Sequence, residues 1–121
     1  MKIEDYGFLS DTQTAALVGR NGSVDWLCFP RFDSASCFAA LIGEPKNGRW
    51  LIAPSDNSAT VARKYRDYTL ILETTFETKD GAVRLILAIF RRRLRTSHSL
   101  LRFISWKKNK RPRITRISRV G

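Results

Sequence analysis

Acidic residues end at Asp80 in this 121-residue chain, histidine occurs once, and cysteine occurs twice. Each scarcity excludes a class of chemistry. With His98 as its one imidazole, the chain offers no Ser-His-Asp system, and His98, Cys28 and Cys37 fit no metal-ligand spacing. There is no glycine-rich phosphate loop, so neither a metal nor any other cofactor is expected. Cys28 and Cys37 read as free, mostly buried thiols; a disulfide would require export. No run of 18 apolar residues exists, which excludes a membrane-spanning helix. The opening MKIEDYGFLSD carries acids where an export signal has a basic region and an apolar core, so a cytoplasmic location is expected. The length suits one domain with little margin for its core.

What charge there is lies unevenly. Residues 1–86 hold ten Lys/Arg against eleven Asp/Glu, whereas residues 87–121 hold twelve Lys/Arg and no acid. The net charge of +11 therefore belongs to the last part of the chain. Two readings compete for that part. It is a basic arm, with Arg and Lys neutralising phosphates and Phe103 and Trp106 stacking on bases, that binds nucleic acid or an anionic surface. Alternatively it is translated out of frame, since acid-free, Arg-rich sequence is common in the wrong frame of a GC-rich gene.

The stretch Thr14–Asp33 organises the remainder. An apolar run, Thr14–Val18, is followed by Arg20-Asn21-Gly22-Ser23 and a second run, Val24–Phe29. Asn21-Gly22 predicts a β-hairpin with a type I′ turn, which needs φ > 0 at both central residues. Pro30 ends the second strand, because it donates no ladder hydrogen bond. Elsewhere, Ile3–Ser10 reads as a strand with a bulge at Gly7, and Ser34–Ile42 as a short helix or turn capped by Ser34. Strands are predicted at Arg49–Ala53, Val61–Arg66, Thr69–Thr78 and Ala82–Leu87, the last two joined by a Lys79-Asp80-Gly81 turn. About seven short strands with little helix predict an all-β fold, a partial antiparallel β-sandwich over residues 1–86. Residues 87–121 are expected to form an irregular or weakly helical basic tail.

The segments IEDYGFLSDTQTAALVGRNGSVDWLCFPRFDSASCFAALIGEPKNGRWLIAP and RKYRDYTLILETTFETKDGAVRLI resemble the N-terminal domain of bacterial glycoside hydrolase family 15, the glucoamylase and trehalase-like group. The resemblance covers residues 3–86, and GSVDWLCFPRFDS is its most specific part. It implies a large β-sandwich that precedes a catalytic barrel of paired helices. It further implies inverting hydrolysis of α-glucosides by two glutamates of that barrel. On this view the present chain is a non-catalytic fragment whose partners are its own C-terminal barrel and an α-glucoside. In the family a strand like GAVRLI leads into an Asp-Phe-Met-Pro type continuation, whereas Ala88-Ile89-Phe90 stands here, which favours a frameshift after residue 86.

Local carboxylates do not replace the missing pair. Inverting glycosidases hold two carboxyls about 6.5–9.5 Å apart. Glu73 and Glu77 share a strand face but lie ~13 Å apart along it. Asp25 and Asp33 flank the Pro30 loop and read more simply as hydrogen-bonding residues of a hairpin end. No catalytic residue is therefore expected. Trp26, Arg31, Phe32 and Asp33 are the candidates for substrate-side or domain-interface contacts: Trp26 stacks on a sugar face, and Arg31 and Asp33 bond its hydroxyls. The plainer alternative makes Trp26 a core residue and Arg31–Asp33 a local ion pair.

Overall fold

A computed structural model describes the backbone of residues 1–91, 99–108 and 114–115 and the side chains of residues 1–89. Three short strands open the first sheet: β1 (Tyr6–Ser10), β2 (Ala15–Gly19) and β3 (Ser23–Cys28). β3 also pairs with β4 (Ser36–Phe38) and β5 (Trp50–Leu51), so the order is β1-β2-β3-β4 with β5 beside β3. The second sheet is built from β7 (Thr60–Tyr65), β8 (Leu72–Thr78), β9 (Gly81–Arg91) and β10 (Ser99–Lys108), in the order β10-β9-β8-β7. A small pair joins β6 (Ala53–Pro54) to β11 (Ile114–Thr115). All these pairings are antiparallel, and the fold is all-β as expected.

The core lies between the two sheets because strand alternation sends every second side chain inward. Leu9, Ala16, Val18, Val24 and Leu27 of the first sheet form one cluster with Leu72, Phe76, Leu85, Leu87 and Ile89 of the second, and Ile52 joins them. Each large aliphatic side chain so buried stabilises the fold by about 1.5–3 kcal/mol. β9 runs on across residues 86–87, since Leu85, Leu87 and Ile89 continue the inward alternation. Beyond it the described backbone of residues 99–108 is extended, paired with β9 from Ser99↔Arg91 to Lys108↔Ala82, rather than helical or irregular.

Several local expectations change. Gly22 alone of the Asn-Gly pair has positive φ, at 83°, and Asn21 keeps φ negative. The turn is therefore closed by Gly22 N–H to Gly19 O at 2.9 Å, not as type I′. A Cβ on Gly22 would stand 2.1 Å from Ile52 O, so a close approach adds to the need for glycine there. Gly7 makes no bulge, as β1 and β2 pair without a register shift; it leaves room instead for the Leu72 side chain, 2.7 Å from where a Cβ would lie. Ser34 caps no helix. Its Oγ accepts a hydrogen bond from Arg31 N–H, residues 36–38 are strand, and a 3-10 turn follows only at Ala40–Ile42. Of the two free cysteines, Cys28 is buried but Cys37 is exposed, because it lies on the short outer strand β4.

Side chains of β7 stitch the sheets at the β1 edge. Tyr65 Oη accepts from Phe8 N–H at 2.8 Å and donates to Phe8 O at 3.1 Å. Arg63 Nη1 donates to Asp5 O at 2.7 Å and Val18 O at 3.1 Å. The two Tyr65 bonds occupy backbone groups that the β1 edge would otherwise offer to another chain.

Candidate functional site

The β2–β3 hairpin positions the polar and aromatic residues of interest. Leu17 pairs with Trp26 but Val18 pairs with Val24, so Asp25 is the extra residue of a β-bulge. The bulge holds the Asp25 carboxylate, only 6% exposed, against two hydroxyls. Tyr6 Oη donates to Oδ2 at 2.6 Å, and Ser23 Oγ donates to Oδ1 in a short hydrogen bond. Buried carboxylates need such donors to offset lost hydration. Burial, the hydrogen bond to Asp25 and the Asp25 charge together push the Tyr6 phenol up to about 12.

After β3 the chain turns through a cis Phe29–Pro30 bond into the loop that holds Arg31, Phe32 and Asp33. Phe32 N–H donates to Gln13 O at 2.8 Å, which fastens this loop to the β1–β2 turn. Thr14 Oγ1 bonds Cys28 O in the same region. Arg31 and Asp33 face each other at 3.1 Å (Nε to Oδ1), and both are largely exposed. An ion pair so placed contributes about 0–1 kcal/mol. Phe32 is 58% exposed.

Trp26 is not part of the core cluster. It stands half-buried on the outer face of the first sheet, in a row with Leu17 and Phe8 set by the registers Leu17↔Trp26 and Phe8↔Leu17. The structure thus brings Arg31 and Asp33 together as a local pair and places Trp26 in a separate apolar row. Asn21 belongs to yet another feature, a cleft of about 140 Å³ lined also by Pro54, Asp56, Asn57, Val61 and Phe76.

Three of the four carboxylates considered for catalysis have partners of their own. Asp25 is held by Tyr6 and Ser23, and Asp33 by Arg31. Glu73 accepts from Arg66 Nη2 at 2.6 Å, a hydrogen bond that holds its carboxyl below the usual range. Among the described residues no cluster of His, Cys, Asp and Glu is set to hold a metal ion. Sequence reasoning missed the Tyr6–Asp25–Ser23 group and the Arg63 stitch. One signal was present: an acid inside the apolar run VDWLC has to find donors if that run is a strand.

Comparison with known proteins agrees with the sequence resemblance. The family described as trehalase-like, N-terminal, matches residues 1–110, beyond the residue 86 at which the sequence resemblance ended. A trehalase of Mycolicibacterium smegmatis is 47% identical over 65% of this chain and 12% of its own length. Trehalases of Mycobacterium tuberculosis (44% over 65% of this chain and 12% of its own) and Thermoplasma volcanium (38% over 74% and 14%) are similar. The chain thus spans about one-eighth of the length of these relatives. No solved structure gives a significant match. With residues 1–110 of 121 matched, the chain belongs to the trehalase-like N-terminal domain family.

Proposed function

We propose that this chain is the non-catalytic N-terminal β-sandwich module of a glycoside hydrolase of the glucoamylase/trehalase group, glycoside hydrolase family 15, that acts on α-glucosides. The observation that carries this reading is the family match over residues 1–110, together with matches of 79 to 90 residues that cover 12% to 14% of similar trehalases. The commitment of Asp25, Asp33 and Glu73 to local partners supports a supporting role rather than acid–base work. Hydrolysis would belong to a C-terminal catalytic part, against which the sandwich packs. The two free thiols fit a cytoplasmic location. The direct test is an assay of the purified chain on trehalose and maltose: no turnover is expected, and saturable hydrolysis by the purified chain would overturn the reading.

The twelve Lys/Arg and absent acids of residues 87–121 favour two further readings of that stretch. In one it is out-of-frame sequence, against which stand the β9–β10 pairing and the family match to residue 110. Translating all three frames downstream of the Gly81 codon decides it. In the other it is an arm for nucleic acid or an anionic surface, whose binding falls steeply with added salt; salt-insensitive binding removes it.

A further inference from the structure

We infer that the row Trp26–Leu17–Phe8, continued around the β1 edge by Tyr65, is the face on which the module docks against the C-terminal part of the full-length hydrolase. This rests on the proposed function above, and it names the surface which that reading leaves open. An antiparallel sheet with one solvated face normally alternates apolar-in with polar-out. Here the inner positions Leu9, Ala16, Val18 and Val24 are buried as expected, yet the outer positions of the central row are Phe8, Leu17 and Trp26. Phe8 is 45% exposed and Tyr65 is 42% exposed. Because the Phe8 N–H and C=O are both engaged by Tyr65, the Phe8↔Leu17 pair is a non-hydrogen-bonded one, the kind that draws side chains closer. The row and Tyr65 are therefore one continuous surface.

The chemistry of that surface selects its occupant. Tyr6, Phe8, Ser10, Ala15, Leu17 and Trp26 include no lysine, arginine or glutamate, so the face offers nothing to a phosphate backbone. The acid beside them, Asp25, is buried under two hydroxyl bonds. A contiguous apolar row with a half-buried tryptophan at one end is the composition of the centre of a protein interface. In the similar trehalases the matched segment is 12% to 14% of the chain, so the greater part of each polypeptide is tethered to the counterpart of this module. Tethering makes that part the partner present at high effective concentration.

The test exchanges the matched segment of the intact M. smegmatis trehalase for this chain, with the native enzyme as control. Phe8→Ser and Trp26→Gln probe the row, and Ile42→Ser, at a 75% exposed apolar residue outside it, is the comparison. Each change is made both in the exchanged enzyme and in this chain alone, and thermal melting is read for both. The row variants should lower the melting temperature of the exchanged enzyme by several degrees more than that of the chain alone, and Ile42→Ser should shift both alike. If one row variant unfolds the chain alone, the other decides. Row variants that shift both alike overturn the inference alone. An exchanged enzyme that neither folds nor turns over trehalose overturns the reading as a module, and the docking face with it. Self-association of this chain lost in Phe8→Ser would assign the face to a second copy instead.

Discussion

The two faces of the first sheet are made by the same strands and are both apolar, yet they meet different environments. The inner face, with Leu9, Ala16, Val18 and Val24, packs on β8 and β9 and is closed to water. The outer face, with Phe8, Leu17 and Trp26, has no second sheet over it among the described residues. Hydropathy alone does not tell the faces apart, because an apolar side chain on a strand gains only from what lies opposite it. The inner face serves the fold, and the outer face is the one proposed to dock.

The comparison breaks most sharply at Leu9. Leu9→Ala should cost about 2–5 kcal/mol in chemical denaturation, since it opens a cavity between the sheets. A cost below about 1 kcal/mol would mean that the inner face is not the packed one. Next comes Asp25→Ala, which strips the Tyr6 and Ser23 hydroxyls of their acceptor and should cost about 1–3 kcal/mol. The same change should lower the Tyr6 phenol from about 12 part of the way toward 10.0, burial and the Asp5 charge holding it up thereafter. Ultraviolet titration against Tyr6→Phe reads that shift. The sign follows from a pKa raised by folding: the Tyr6 contribution is present in full below pH 10.0 and is lost as pH climbs toward about 12.

Thr74 offers the opposite effect on the inner side of the second sheet. Its Oγ1 is buried and has no hydrogen-bond partner among the described residues, so Thr74→Val should raise stability by about 1 kcal/mol in the same denaturation assay. Leu17→Ser on the outer row should cost the isolated chain less than about 1 kcal/mol, because little cavity is created there. A cost equal to that of Leu9→Ala would erase the distinction between the faces. Smallest is Arg31→Ala, expected within about 0.5 kcal/mol of the parent, for its pair with Asp33 stands in water.

Much of the sandwich is legible in the order of residues. Alternation marks β7, β8 and β9, and turn residues mark the joints at Gly22 and Lys79-Asp80-Gly81, because period and turn chemistry are local properties. The family resemblance was likewise carried by contiguous residues such as GSVDWLCFPRFDS. Other features depended on neighbours far along the chain. Ser34–Ile42 had a helical look, but pairing of Ser36–Phe38 with β3 took precedence over local propensity. Gly7 is required by Leu72, Asp25 is satisfied by Tyr6, and Tyr65 closes the edge at Phe8, all across separations that sequence spacing does not encode. The sequence alone settled that this is a β-domain of a particular family, since strand period and motif are written residue by residue. Only the tertiary structure decided that Trp26 faces outward and Arg31–Asp33 pair with each other, because burial is a property of two surfaces brought together.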